Sequence, residues 1–204
     1  LTEKEKQKRD MELLALQAQI NPHFLYNTLN SIQCVAEMQG AENVSNMLDA
    51  MISILHYTAE SAGEIVAMEK ELTFIQNYIK IINFRYFDRF SFLVQADDKV
   101  RNYGTLRFIL QPIVENAIKH GTSQHLGVGE ITIRASQHQR WLQLDIEDNA
   151  GLYQHNPNAS GLGMSLVDRR LRARFGADCG ITVTCEPECF TRVTLRLPLE
   201  ESAC

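Results

Sequence analysis

The sequence has no block of lysine and arginine, and its formal charge at neutral pH is −5. A chain of that sign without a basic patch is a poor match for a phosphate backbone, so nucleic acid is not expected as a direct partner. No window approaches about 18 uninterrupted apolar residues, so no segment reads as a membrane span. No secretory leader is recognisable. The chain begins at Leu1 inside a charged, helix-like run and reads as a fragment of a longer protein. The five cysteines, Cys34, Cys179, Cys185, Cys189 and Cys204, lack paired spacing. Their odd number predicts reduced thiols in a cytosolic setting, and the irregular steps between Cys179, Cys185 and Cys189 do not suit a zinc knuckle.

What is present is ordinary globular composition. Of 204 residues, 45% are hydrophobic and 22% charged, enough for one or two small domains with a real core. Residues 2–12 alternate in charge, with Glu5 and Arg9 an i,i+4 pair, and read as a solvated helix face. Leu13, Leu16 and Ile20 follow at helical spacing, and Leu25, Leu29 and Ile32 resume the stripe after a proline. Pro22 in a helix interior would cost about 3 kcal/mol. Two local solutions avoid that cost: a kink, or a new helix capped by Asn21 with Pro22 at its first position. In both, His23 stands at an irregularity where a ring nitrogen is easier to reach.

Gly40 closes this helix, and Val44, Met47, Leu48, Met51, Ile52 and Leu55 mark a second. Two helices and a short turn predict an antiparallel hairpin. A lone hairpin has too little core. Either it packs on the rest of its chain or two hairpins pair as a four-helix bundle, and we expect the homodimer. A third helix is predicted from about Glu69 to Arg85, with Leu72, Ile75, Ile79 and Ile82 on one stripe and Phe74, Tyr78 and Ile81 widening it.

Beyond it, Ser91–Gln95 reads as extended. Leu106, Ile109, Leu110, Ile113, Val114 and Ala117 read as one apolar helical face that survives Pro112. Asn116, Lys119 and His120 fall together on the edge of that face, an amide, an ammonium and an imidazole suited to a polyanion with a metal. A strand is predicted over 130–135. In Trp141–Asp148, alternation turns Leu142, Leu144 and Ile146 inward and carries Asp148 inward with them. An inward carboxylate needs a strong donor, and a nucleotide's exocyclic amine would serve; capping of the next turn is the plainer alternative. Asn149–Ser160 is a loop, and Ser160-Gly-Leu-Gly163 opens a helix whose bare N–H groups suit phosphate. In the last strand Thr191 faces inward with Val193, Leu195 and Leu197, a second polar group beside Asp148.

The run Asn21-Pro-His-Phe-Leu-Tyr-Asn-Thr-Leu-Asn-Ser-Ile32 resembles the phosphoacceptor segment of the LytS/YehU-type sensor histidine kinases. Leu110–Gly121 resembles the N box of the GHKL ATP-binding fold. Asp148-Asn-Ala-Gly151 and Gly161–Leu171 resemble its two glycine boxes, and Phe190–Pro198 its closing strand. The resemblance implies an α+β chain: an antiparallel helical hairpin over residues 1–65, forming a dimeric four-helix bundle, then a GHKL (Bergerat) two-layer α/β sandwich with a mixed sheet over 66–204. It implies ATP and Mg²⁺, with Asn116 on the metal, Lys119 and His120 near the phosphates, Gly161 and Gly163 flanking them, and residues 149–160 as a lid. Asp148 would hold the adenine amine, supported by Thr191, and Gly151 joins the nucleotide-binding set. His23 would accept the γ-phosphoryl group and pass it to an aspartate on a response regulator's receiver domain, of the LytTR type; Asn27 and Glu115 are further catalytic candidates. The fragment would be cytoplasmic, its parent tied to the bacterial inner membrane through the missing sensor region. A GHKL protein that signals by binding alone, or a degenerate dimerisation scaffold, are the alternatives. Two departures stand out. Ala150 occupies a position where glycine is commoner. Phe24 follows His23 where other histidine-kinase classes carry an acid, so the resemblance names no general base.

Overall fold

The computed structural model describes residues 22–60, 64–87, 89–121, 128–153 and 162–200. The chain divides into two compact units, Leu1–Glu60 and Ser61–Cys204.

In the first unit, α1 (Pro22–Met38) and α2 (Glu42–Ala59) form the hairpin that helical spacing predicted. The turn is a Schellman close. The N–H of Ala41 reaches back to the carbonyl of Ala36 at 2.8 Å, and Gly40 N–H to that of Glu37 at 3.0 Å, with Gly40 left-handed at φ +67°. Gln33 donates to Asp49 at 2.6 Å, and the Tyr26 and His56 rings stack at 4.3 Å, so pairing runs antiparallel along the hairpin. Nothing lies within 4 Å of a Cβ built on Gly40, so Gly40→Ala should cost about 1 kcal/mol through its φ alone, measurable as a small loss in urea unfolding. Pro22 is the first described helical residue. Asn21, which would decide between a kink and a capped start, lies outside the described residues.

The buried residues of the hairpin include Ala36, Leu48, Ala50 and Tyr57. The predicted stripe is only partly covered: Leu25 and Leu29 are half-buried and Ile32 is exposed. Phe24, Val35 and Met38 are exposed as well, Phe24 at 66% and Met38 at 83%.

The second unit is built on a five-stranded sheet. It runs β1 (Ile65–Ala67), α3 (Met68–Tyr86), β2 (Phe90–Ala96), β3 (Gly104–Leu106), α4 (Gln111–Gly121), β4 (Gly129–His138), β5 (Trp141–Asp148), α5 (Leu162–Phe175), β6 (Gly180–Glu186) and β7 (Phe190–Pro198). The sheet order is β2-β4-β5-β7-β6. β2 pairs parallel with β4 and the remaining pairs are antiparallel, so the sheet is mixed. β1 and β3 make a separate two-stranded ribbon.

Burial alternates along β5 and β7 as the sequence predicted. Leu142, Leu144 and Ile146, then Val193, Leu195 and Leu197, share one core with Leu72 and Ile75 of α3, Ile113 and Val114 of α4, and Val167 and Leu171 of α5. Each large side chain fully buried there contributes roughly 1.5–3 kcal/mol. Residues of the alternate register carry polar pairs across the strands: Thr194 donates to Asp145 at 2.5 Å and Arg192 to Glu147 at 2.6 Å. This is the two-layer α/β sandwich with a mixed sheet that the sequence reading expected. No helix among the described residues is long and apolar enough to cross a membrane.

Two expectations are corrected. Leu106 lies on strand β3, not on a helix, and α4 starts five residues later at Gln111. Phe108 stands in the left-handed region at φ 57°, which stops helical continuity, and Pro112 suits the first turn because it lacks an N–H. The apolar residues read as one helical face are nonetheless all buried. β4 is also longer than predicted and extends to His138.

Candidate functional site

Two groups of candidate residues gather in the second unit. The first is at the end of β5. Asp148 is 7% exposed, and the register places it directly opposite Thr191, 4% exposed, on β7. Both therefore sit on the helix-covered side of the sheet. Asp148 Oδ1 accepts the N–H of Ala150 at 3.0 Å, closing the turn that leaves the strand. Thr191 Oγ1 contacts Cys185 Sγ at 3.7 Å. A buried carboxylate beside a buried hydroxyl can accept an amine and donate to a neighbouring ring nitrogen, the demands of a purine edge.

Ala150 fits this turn without strain, because the left-handed residue is its neighbour Gly151 at φ +60°. Gly151 lies against the β6–β7 hairpin, where an added Cβ would stand 2.3 Å from the Glu186 carbonyl oxygen. Asn149 is also tied down: its Oδ1 accepts the N–H of Glu130 at 3.0 Å. Of the predicted lid, residues 154–160 lie outside the described residues, as does Gly161.

The second group joins α4 to α5. Gly163, in the first turn of α5, has no side chain to hold off Pro112; a Cβ there would come within 3.1 Å of the proline Cβ. The N-termini of the two helices thus approach closely. One turn along α4, the Asn116 amide nitrogen reaches Met164 Sδ at 3.9 Å. With its nitrogen so directed, the Asn116 oxygen remains as a hard acceptor, the donor type Mg²⁺ prefers. No group of three potential ligands among His, Cys, Asp and Glu occurs among the described residues. A Mg²⁺ that keeps several waters and uses one protein oxygen fits that donor set. Lys119 is exposed on the same helix. His120 belongs to α4, but its side chain lies outside the described residues.

Glu115 is exposed and accepts two hydrogen bonds, from the Tyr78 hydroxyl at 3.2 Å and from Gln111 Nε2 at 2.7 Å. Burial, and then the Glu115 charge, push the Tyr78 hydroxyl well above the ordinary phenol range, so it stays a donor. Sequence reasoning placed Tyr78 only on an apolar stripe and did not single out Met164. Neither has a local signal, since each is defined by a partner on another helix. His23 and Asn27 belong to α1 in the other unit. Asn27 is exposed, one turn beyond His23, and the His23 side chain lies outside the described residues.

Comparison with known proteins gives a consistent picture. Residues 11–90 match the histidine kinase family model, and residues 102–201 match that of the histidine kinase-, DNA gyrase B-, and HSP90-like ATPases. Sensor histidine kinase BtsS of Escherichia coli K12 is 44% identical over 192 residues, covering 94% of this chain and 34% of that protein. Sensor histidine kinase YesM of Bacillus subtilis is 31% identical over 194 residues, covering 93% and 34%. Sensor protein LytS of Staphylococcus saprophyticus is 29% identical over 205 residues, with coverage of 93% and 34%. The chain thus spans about a third of the length of these relatives. Among solved structures, the histidine kinase domain of the blue-light activated kinase of Erythrobacter litoralis superposes with a TM-score of 0.54 at 21% identity. It covers 95% of this chain and 96% of that one, a likeness of fold.

Proposed function

This chain belongs to the LytS/YehU-type sensor histidine kinases, and we propose that it is the kinase core of a two-component sensor, phosphorylated from ATP on His23. The phosphoryl group then passes to an aspartate in the receiver domain of a response regulator of the LytTR type. The observation that carries the reading is the pairing of buried Asp148 with buried Thr191 on the helix-covered side of the sheet, in the unit whose α4 and α5 meet at their N-termini. An adenine amine satisfies the carboxylate, and the N–H groups opening α5 meet the phosphates.

The remaining roles follow from chemistry. Phosphoryl transfer asks mainly for in-line positioning and neutralised charge. Mg²⁺, held through the Asn116 oxygen, supplies that neutralisation when bound. Lys119 and His120 serve the phosphates, and Gly163 clears their approach. The neutral imidazole form of a histidine carries the ring-nitrogen lone pair that the transfer needs. Its nitrogen bonds to the γ-phosphorus as the bond to the ADP oxygen breaks, and the imidazole proton is released. The exposed apolar residues of the hairpin, Phe24, Ile32, Val35 and Met38, support a homodimer in which a second hairpin covers them. The sensor and its inner-membrane anchor belong to the part of the parent protein beyond this chain.

Incubation with γ-labelled ATP and Mg²⁺ tests the reading. Wild-type chain should acquire label that is acid-labile and base-stable, and His23→Gln should lose all of it while binding ATP as before. Label that persists in His23→Gln would place the acceptor elsewhere. ATP binding with no label in wild type would leave a nucleotide-binding protein that does not phosphorylate itself.

A further inference from the structure

Glu71 is charged by composition yet fully buried, one turn into α3. Burial of a carboxylate is costly unless strong donors meet it. Here the donors are backbone: Phe108 N–H at 3.0 Å to one oxygen and Leu110 N–H at 3.0 Å to the other. These belong to the turn that delivers the chain into α4, where helix N–H groups lack partners of their own and a negative charge is favoured by the dipole. The turn is otherwise unfavourable, since Phe108 holds a left-handed φ of 57°, rare for a bulky residue. It persists because its surroundings over-determine it. Phe74 of α3 meets the Phe108 ring edge-on at 5.3 Å, and the Arg107 guanidinium lies over it at 5.2 Å. The β1–β3 ribbon, with Ile65 opposite Leu106, ties the chain before α3 to the chain before α4. Two turns further along α3, on the same face, Tyr78 donates to Glu115 of α4.

We propose that Glu71 and Tyr78 are positioning residues of the phosphoryl-transfer reaction, Glu71 setting where α4 begins and Tyr78 setting the direction of the Glu115 carboxylate. The inference rests on the kinase reading, which puts Asn116 and Lys119 of α4 on the metal and the phosphates. A helix that starts a fraction of an ångström away aims those side chains differently, and such misplacement is expensive in rate. Packing alone would be served by an apolar side chain at 71 and by phenylalanine at 78.

The test uses the full 204-residue chain. Tyr78→Phe removes one oxygen and keeps the ring. It should lower kcat for autophosphorylation about tenfold while leaving KM for ATP within about twofold and the melting temperature nearly unchanged. Glu71→Gln, titrated with ATP below its melting transition, should raise Kd about tenfold in protein that still unfolds cooperatively, because an amide cannot accept from both N–H groups. A Tyr78→Phe chain with wild-type kcat overturns the proposal, and so does a folded Glu71→Gln chain with wild-type Kd. If Glu71→Gln fails to fold, Tyr78→Phe decides alone. Wild-type chain that neither binds ATP nor takes up label would sink the kinase reading itself, whereas active wild type with indifferent variants sinks only the positioning role.

Discussion

Replacing Gly151 by alanine should destabilise the second unit by about 4 kcal/mol or more and weaken its hold on ATP at the same time. Two costs coincide at this position. The left-handed φ of +60° is by itself worth about 1–2 kcal/mol to a residue with a side chain. The added Cβ would also stand 2.3 Å from the Glu186 carbonyl oxygen, 2.6 Å from Glu188 N and 2.7 Å from Cys189 N. All three are backbone atoms of the β6–β7 hairpin, so no flexible side chain can swing aside. The hairpin itself must move, and it leads straight into Thr191, the partner of Asp148. Gly40, with a similar φ but open space around it, supplies the control. Thermal melting should show a drop of about 10 °C or more for Gly151→Ala and far less for Gly40→Ala. A Gly151→Ala chain that melts within about 2 °C of wild type would mean that the turn and the hairpin do not meet as described.

Gly151 also shows which features could be read from the sequence and which could not. The turn after Asp148 was visible as a glycine box, but the sequence had no means of showing that the β6–β7 hairpin, at Glu186–Cys189, lies against it. The strands β5 and β7 were legible because burying one face imposes a period of two, and that period alone carries Asp148 and Thr191 to the core side. α3 was legible to within a residue at each end, because Leu72, Ile75, Ile79 and Ile82 keep helical spacing over about three turns. The β1 and β3 strands were not, since three residues are too few to show a period. Leu106 was misassigned for the same reason: a fully buried run carries no alternation, so a strand, a tight turn and a helix start blended into one apolar stretch. Glu71 and Tyr78 were illegible as tethers. A glutamate in the first turn of a helix ordinarily faces solvent, and a tyrosine on an apolar stripe ordinarily contributes its ring. Only the fold reveals that one is buried against backbone N–H groups and the other ends on a carboxylate of the next helix.

Asp148→Asn should weaken ATP binding about 100-fold while leaving the unit folded. The separation of the two effects comes from the two jobs of the side chain. One carboxylate oxygen accepts the Ala150 N–H at 3.0 Å, and an asparagine oxygen can accept it equally well, so the turn and the neighbouring Gly151 contact survive. The proposed contact to the adenine amine does not. With the oxygen committed to Ala150, the new amide presents an NH₂ group to another NH₂ group, and two donors in a buried site leave both unsatisfied. A charge-assisted hydrogen bond is worth about 1.5–3 kcal/mol, and an unsatisfied buried donor costs about 1–3 kcal/mol more. At about 1.4 kcal/mol per tenfold in Kd, the lower end of that range already gives nearly two orders of magnitude. Replacing adenine by hypoxanthine in the ligand makes the complementary test, because the ring then offers a carbonyl where the amine stood. Wild-type chain should discriminate strongly against ITP, whereas Asp148→Asn should bind ATP and ITP with similar weak affinity or prefer ITP. Calorimetric titration of both nucleotides against both chains reads all four affinities. Equal affinity of the wild-type chain for ATP and ITP would remove Asp148 from base recognition, since a buried carboxylate facing a carbonyl oxygen is repulsive wherever the rest of the nucleotide lies.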